Sequence, residues 1–142
     1  TLFVNEYVAE GRAKLGSPIN LYFQQSIQAT FKKAIKMGVK LAYGTDIGGY
    51  DWGLPQAKDF TYFVDWGLTN MQAIQTATTT AAELLGMQGK IGEIKAGAFA
   101  DIIALKKDPT KDINALQQID WVMVNDNVSK LYDSFLMKQK DT

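Results

Sequence analysis

The sequence predicts an α/β fold in which helices and a strand alternate first and small β elements follow. Helical periodicity of apolar residues covers most of residues 3–87. A short apolar strand at residues 39–43 lies between helices, as in a parallel α/β layer. From residue 90 the apolar pattern shortens to strand-like runs. One strand is not a sheet and a complete (β/α)₈ barrel takes about 250 residues, so most of any such barrel would lie outside this chain.

Two helices are predicted before the strand. Apolar residues at three- and four-residue steps predict the first over residues 3–15. Ser17 and Pro18 are typical of the start of the second, and Gly38 is typical of its end. The apolar side of the second helix consists of Phe23, Ile27, Phe31, Ala34 and Ile35.

The predicted strand leads directly into Gly44-Thr45-Asp46. Active sites in barrels and open α/β sheets are assembled at the carboxyl ends of strands. An aspartate there can bind a metal, orient a water molecule and move its proton. The alternative is that Asp46 only caps a turn, since aspartate favours such positions.

A loop rich in glycine and aromatic residues follows at residues 47–55. Its Tyr50, Asp51 and Trp52 can line a substrate pocket, or they can pack or form an exposed rim. The pairs Asp46/Asp51 and Asp46/Asp59 suggest two-carboxylate chemistry, but spacing alone does not show that these groups converge.

Three more helices are predicted up to residue 86. The first covers residues 56–66, and we interpret its aromatic stripe as core. A capping box of Thr69 and Gln72 starts the next, which runs through Ala77. Thr79 or Thr80 begins a short third helix, whose Glu83 is interpreted as a solvated or capping acid. The aromatic stripe consists of Phe60, Phe63 and Trp66.

The remaining elements are short. Residues 91–97 predict a strand that leads into a turn, and residues 102–105 form a second apolar run after Asp101, which we interpret as a structural turn residue. A short helix or turn is predicted at residues 113–116. A β-hairpin with an Asn/Asp turn joins residues 121–124 to 128–131, and the tail from Tyr132 is polar and weakly helical.

Composition excludes several classes of chemistry. Fifteen basic and fifteen acidic residues give no net charge, which argues against nucleic-acid binding. The absence of cysteine and histidine excludes disulfides, thiolate sites and imidazole ligands, so metal or acid–base chemistry carried by this chain must use carboxylates.

No apolar stretch approaches the roughly 18 residues of a membrane span, and no signal peptide is visible. The compartment stays open, with a cytoplasmic location favoured, because the lack of cysteine does not fix it. Since the chain begins without Met, a processed or fragmentary chain is also expected.

Five segments, taken in order, resemble one known family. Residues 67–78 (GLTNMQAIQTAT) are similar to its GMTPMEAIQAAT, residues 80–86 (TAAELLG) to its NAAELLG, and residues 91–103 (IGEIKAGAFADII) to its IGSIEPGKLADLV. Residues 38–46 (GVKLAYGTD) resemble its last barrel strand, and residues 57–60 (AKDF) resemble the start of its last barrel helix. In these segments the chain resembles the amidohydrolase superfamily, specifically its imidazolonepropionase-like and Xaa-Pro/Xaa-Arg dipeptidase branch.

This resemblance implies a (β/α)₈ metal-dependent hydrolase whose accessory β-sandwich is formed by both flanks of the chain. Residues 1–87 would supply the end of strand seven, the last barrel strand and their helices. Residues 88–132 would supply the C-terminal share of the sandwich, and residues 133–142 a polar tail. The implied reaction is hydrolysis of an amide or peptide-like C–N bond in a dipeptide, an N-acyl amino acid or a cyclic amide.

The resemblance also implies roles for particular residues. Asp46 matches the aspartate that binds metal and that accepts and returns the proton of the attacking hydroxide. From their place on the loop next to Asp46, and not from the resemblance, Tyr50 and Trp52 are predicted to contact substrate. The divalent metal, expected to be zinc, would be held mainly by residues outside this chain: a His-x-His pair, a carboxylated Lys or a Glu, and two later His. Asp51-Trp52-Gly53 departs from the Pro-His-Gly that is frequent in this branch, which leaves the substrate open.

The expected partners are a small-molecule substrate, the remainder of the same protein or another chain, and further copies in a homo-oligomer, with no nucleic acid and no membrane. Two alternatives remain. The chain can be a non-catalytic fragment or assembly subunit that completes a barrel with another chain, or a degenerate, metal-free binding protein. The missing histidines bear directly on this choice, because a chain without them should not hold a catalytic metal alone.

Overall fold

The computed structural model describes residues 8, 10, 11, 14, 19–48, 51–125 and 127–129. Four residues of the predicted first helix are among them, and all four are helical: Val8, Glu10, Gly11 and Lys14. The rest of that helix, the Ser17-Pro18 start signal, Tyr50, the end of the predicted hairpin and the 133–142 tail lie outside the described residues.

Helices dominate the first part of the described chain and a small sheet dominates the second. The α-helices are α1 (Ile19–Lys36), α2 (Asp59–Asp65), α3 (Asn70–Thr76) and α4 (Thr79–Leu84). Two 3₁₀ helices span Gln56–Lys58 and Ile113–Gln117. The strands are β1 (Ile102–Ala104), β2 (Trp121–Val124) and β3 (Asn127–Ser129). Among the described residues, no helix is both long enough and apolar enough to cross a membrane.

Local signals place the helix ends where the sequence predicts them. After α1, Gly38 has a φ of 70°. Its N–H donates to the carbonyl of Ile35 and that of Val39 donates to Ala34, both at 3.0 Å, which forms a Schellman motif. The capping box before α3 is confirmed: Thr69 Oγ1 accepts from the Gln72 N–H at 3.2 Å, and Gln72 Oε1 accepts from the Thr69 N–H at 2.9 Å.

The predicted strand at residues 39–43 is not a strand in this structure. A strand needs a hydrogen-bonded neighbour, and none of the described strands lies beside this segment. One of its links to the helices is the N–H of Tyr43, which donates to the carbonyl of Thr76 at 2.8 Å. The apolar pattern therefore identifies a segment with strand-like composition. Whether it forms a strand depends on a pairing partner, which the local pattern does not specify.

The predicted strand at residues 91–97 is also wrong. Gly92 has a φ of 78°, so the chain turns where an extended run was expected. Gly97, with a φ of 87°, lies in the turn to which this run was predicted to lead. Ile91 makes only an isolated bridge with Gln88, and the Phe99 N–H donates to the carbonyl of Lys90 at 2.8 Å. These residues form a compact turn that follows α4.

Gly92 is the position in this turn where a side chain is least tolerable, and Gly92→Ala is expected to destabilise the fold strongly. An added Cβ would lie 2.5 Å from the carbonyl oxygen of Thr78, in addition to the strain of the left-handed backbone. We expect the free energy of unfolding to fall by about 3 kcal/mol, measured by urea unfolding. Gly97→Ala is the matched control, because it has the same strain but nothing within 4 Å. An equal loss in the two variants would contradict the steric argument.

The buried aromatic stripe of α2 forms the centre of the hydrophobic core, as predicted. Phe31 of α1 stacks on Phe63 with ring centroids 5.2 Å apart and meets Trp66 edge-on at 5.7 Å. From the other side the second 3₁₀ helix inserts Ile113 and Leu116 into the same cluster. The core thus joins residues from both sides of residue 88.

Polar contacts reinforce this connection between α2, α3 and the 108–117 region. Thr61 Oγ1 donates to Asn114 Oδ1 at 2.9 Å. Asn70 Nδ2 donates to the carbonyl of Thr110 at 3.0 Å. The 3₁₀ helix itself begins with Asp112, whose Oδ1 accepts from the Asn114 N–H at 3.0 Å. Side chains on both helices therefore hold this segment against the core.

The sheet is antiparallel with the order β1-β2-β3. Val124 pairs with Asn127, so the predicted hairpin is confirmed over its described residues, with Asn125 in the turn at a φ of 49°. Asp101 Oδ1 accepts from the N–H of Asn125 at 2.9 Å. Asp101 is therefore the structural residue that the sequence predicts.

Candidate functional site

Asp46 lies between two well-anchored neighbours. Tyr43 stacks on Phe60 with ring centroids 4.4 Å apart and the rings nearly parallel. Its hydroxyl donates to the backbone carbonyl of Gln56 at 2.8 Å. On the other side Ile47 is buried. The backbone that carries Asp46 is thus fixed at both ends.

The Asp46 side chain itself is exposed, and its backbone φ is 53°. The left-handed region is uncommon for residues other than glycine, although aspartate and asparagine enter it more readily than most. Backbone strain of this kind is concentrated at functional sites. Within the described chain, no hydrogen bond or ion pair uses the Asp46 carboxylate. The carboxylate is therefore available to a ligand.

The neighbouring loop, residues 51–55, is held by the side chain and the backbone carbonyl of Asp51. Asp51 Oδ1 accepts from the Gly53 N–H at 2.8 Å, and the Asp51 carbonyl accepts from the Leu54 N–H at 3.1 Å. This is the turn-stabilising use of an aspartate, so the Asp51 carboxylate supports the loop. Trp52 is 71% exposed. We call residues 51–55 the Trp52 loop.

Asp59 is buried in the first turn of α2. Burial of the phenol, and secondly the negative charge of Asp59, raise the pKa of Tyr43 well above its usual range. Tyr43 therefore stays protonated and remains a hydrogen-bond donor to Gln56. We define residues 43–46 as the Asp46 segment. Asp59 acts on this segment through its effect on Tyr43.

Glu83 forms an exposed ion pair with Lys40 at the start of the predicted strand. Such a pair contributes little to stability and leaves Glu83 outside the candidate site. The interpretation of Glu83 as a solvated acid agrees with this exposure.

Among the described residues, no three His, Cys, Asp or Glu side chains come together as a metal site. Catalytic zinc is usually held by three protein ligands and one open position. The exposed carboxylate of Asp46 has the right chemistry for one ligand of a divalent cation. The described residues are therefore compatible with a metal site to which this part of the chain contributes one ligand, Asp46.

Sequence reasoning missed two residues that build this region. Tyr43 and Gln56 connect the Asp46 segment to α2 and to the Trp52 loop. Tyr43 was visible only as part of an apolar run, and nothing in the local sequence marks Gln56. Tyr50, which was predicted to contact substrate, lies outside the described residues.

Comparison with known proteins gives a consistent answer. Residues 20–129 match the model of the amidohydrolase family. Over 90 residues the chain is 37% identical to ochratoxinase from Aspergillus niger, a match that covers 62% of this chain and 18% of ochratoxinase.

Two solved structures are similar over most of the chain. A Xaa-Pro dipeptidase with methionine bound in its active site gives a TM-score of 0.81 at 36% identity, covering 90% of this chain and 33% of the dipeptidase. A prolidase in complex with N-methylphosphonate-L-proline gives 0.79 at 28% identity, covering 92% of this chain and 34% of the prolidase. The chain thus spans about a third of the length of these structures. These relatives are hydrolases. The residues that match the family model include the Asp46 segment, the core and the sheet. The chain therefore belongs to the amidohydrolase family.

Proposed function

We propose that this chain is the C-terminal part of a metal-dependent amidohydrolase that hydrolyses amide or peptide-like C–N bonds, with Asp46 as its catalytic carboxylate. The observation that supports this most directly is the Asp46 segment. An exposed, unengaged carboxylate follows a segment anchored by Tyr43 and precedes the buried Ile47. The same segment lies within the residues that match the amidohydrolase family.

In this proposal residues 1–87 contribute the last strand and helices of a (β/α)₈ barrel, and residues 88–132 contribute to an accessory β-sandwich. Among the described residues, residues 40–42 make no backbone–backbone hydrogen bond, so a neighbouring strand could pair with them. The antiparallel β1-β2-β3 sheet suits the sandwich. The match to only about a third of the dipeptidase also agrees with a partial barrel.

Asp46 performs the proton transfers in the proposed reaction. A divalent metal, with zinc as the first candidate, would be held by Asp46 and by residues outside this chain, and when bound it would lower the pKa of a water molecule. Asp46 Oδ accepts the proton of the attacking water as the new C–O bond forms at the carbonyl carbon. It then donates that proton to the leaving nitrogen as the C–N bond breaks.

Trp52 and Tyr50 are proposed to contact the substrate. Trp52 presents an exposed aromatic ring from a loop that is tied to the Asp46 segment. The solved relatives are described with methionine or a proline analogue bound. We therefore propose dipeptides or N-acyl amino acids as the substrate class.

The second candidate is a non-catalytic subunit that completes a barrel with another chain. It is favoured by the lack of a three-ligand cluster among the described residues. The two candidates make opposite predictions for the protein in which this chain is joined to the rest of its barrel, which we call the assembled enzyme.

Activity of the assembled enzyme tests the proposed function. We expect hydrolysis within a panel of Xaa-Pro dipeptides, other dipeptides, N-acyl amino acids and a cyclic amide, and loss of this activity after removal of metal by a chelator. Restoration by zinc would complete the test. A metal-loaded enzyme that hydrolyses none of these would contradict the proposal and favour the assembly subunit.

The isolated 142-residue chain is expected to bind divalent metal weakly and to show no turnover. Within the part of the chain that the structure describes, no three candidate ligands come together, whereas catalytic zinc usually has three protein ligands. Zinc content after dialysis and hydrolysis of the same panel measure this. Stoichiometric zinc together with turnover would show that the chain holds a complete site.

A further inference from the structure

One side chain connects the Asp46 segment to the Trp52 loop. The hydroxyl of Thr45, the residue directly before Asp46, donates to Gln56 Oε1 at 3.4 Å. Gln56 Nε2 donates to the backbone carbonyl of Trp52 at 3.5 Å. The two ends of one amide group therefore contact the catalytic segment and the proposed substrate loop.

The backbone of Gln56 is fixed independently of its side chain. Its carbonyl accepts the Tyr43 hydroxyl at 2.8 Å, and its N–H donates to the carbonyl of Leu54 at 2.8 Å. Gln56 also begins the 3₁₀ helix that leads into α2. Because the Gln56 backbone is fixed, the two contacts of its side chain hold Thr45 and the Trp52 carbonyl at set positions relative to each other.

We propose that Gln56 is a positioning residue that couples the Trp52 loop to the Asp46 segment. The coupling keeps the Trp52 side chain and the Asp46 carboxylate at a fixed distance and orientation relative to each other. The inference rests on the proposed function of Asp46 and extends it to a residue that no part of the family match singles out. Gln56 does not touch the reacting atoms; it acts through Thr45 and through the Trp52 carbonyl.

The chemistry of the amide allows the two contacts to be separated. Gln56→Glu keeps an oxygen that accepts from the Thr45 hydroxyl, but it loses the N–H donor and places a negative charge near the Trp52 carbonyl. Gln56→Ala removes both contacts while leaving the backbone carbonyl for Tyr43. Gln75→Ala is the matched control, because Gln75 is an exposed glutamine of α3 in another part of the chain.

Steady-state kinetics of the assembled enzyme give the first test. We expect Gln56→Glu to raise KM by about tenfold with kcat nearly unchanged, because the substrate loop is released while the Asp46 segment is held. Gln56→Ala should also lower kcat, for a total loss of about 100-fold in kcat/KM. Bound metal should be unchanged in both variants, and Gln75→Ala should behave as wild type.

Amide hydrogen exchange of the same proteins gives a readout that does not depend on activity. Exchange should accelerate over residues 51–55 in both Gln56 variants, but over residues 43–46 only in Gln56→Ala. Unchanged exchange in Gln56→Ala, or the same split between kcat and KM in the two Gln56 variants, would overturn the coupling. If the wild-type enzyme hydrolyses no substrate, the proposed function fails, and the exchange pattern alone then decides whether Gln56 couples the two segments.

Discussion

Asp46→Asn is expected to abolish turnover of the assembled enzyme while leaving its fold intact. Asparagine keeps the shape of the side chain and also tolerates the left-handed backbone that Asp46 adopts. It cannot accept the proton of the attacking water, and it binds a cation less well. General acid–base transfer alone typically contributes about 10²- to 10⁴-fold, so a loss of at least about 100-fold in kcat is expected.

Asp51→Asn provides the matched control five residues along the chain. Asp51 supports the Trp52 loop through its contact with the Gly53 N–H. Asparagine makes that turn contact about as well as aspartate, so activity should be retained. Rate constants for the substrate panel, with circular dichroism as the folding control, measure both variants. Retention of more than about a tenth of the activity in Asp46→Asn, against the loss expected for a proton-transfer residue, would show that Asp46 is a structural residue.

A polypeptide of residues 1–87 is expected not to fold as a stable monomer. It lacks Ile113 and Leu116, which pack into the cluster around Phe63 and Trp66. Burial of each aliphatic side chain contributes about 1.5–3 kcal/mol, a large part of the 5–15 kcal/mol that is typical of whole domains. The exposed aromatic face would also favour aggregation.

Thermal unfolding of residues 1–87 at several concentrations measures this expectation. A broad transition or concentration-dependent association is expected. A sharp melting transition that does not change with concentration would contradict it. In the complete chain, the combined change of Ile113→Ala and Leu116→Ala should lower stability without removing the backbone, which separates the loss of these side chains from the effect of truncation.

Local signals in the sequence predicted the elements whose formation depends on neighbouring residues. Gly38 ends α1, Thr69 and Gln72 cap α3, and the Asn125 turn closes the β2–β3 hairpin. Each of these features is decided within a few residues by backbone conformation or a short hydrogen bond. The sequence therefore contains enough information to place them.

The two wrong strand predictions lie where a distant pairing partner or a left-handed glycine determines the conformation. Residues 39–43 have a strand-like composition, but pairing requires a neighbour that the sequence pattern does not specify. The strand predicted from residue 91 was assigned by its apolar residues, whereas the left-handed conformation of Gly92 turns the chain there.

The candidate site shows the same division. Asp46 could be selected because it follows an apolar run directly and because that stretch resembles a known family. Gln56 could not, since its role depends on contacts with Thr45 and Trp52 that exist only after folding. The loop-supporting role of Asp51 likewise became clear only from its contact with Gly53.

The packing of the second 3₁₀ helix into the α2 cluster determines where chimeric enzymes can be joined. A crossover near residue 88 would combine Phe63 and Trp66 from one parent with Ile113 and Leu116 from another, although these side chains fill one shared volume. The Trp52 loop is different, because its ends are fixed by backbone contacts and its Trp52 side chain faces solvent. Exchange of residues 51–55 between relatives is therefore the smaller and safer graft for altering substrate range.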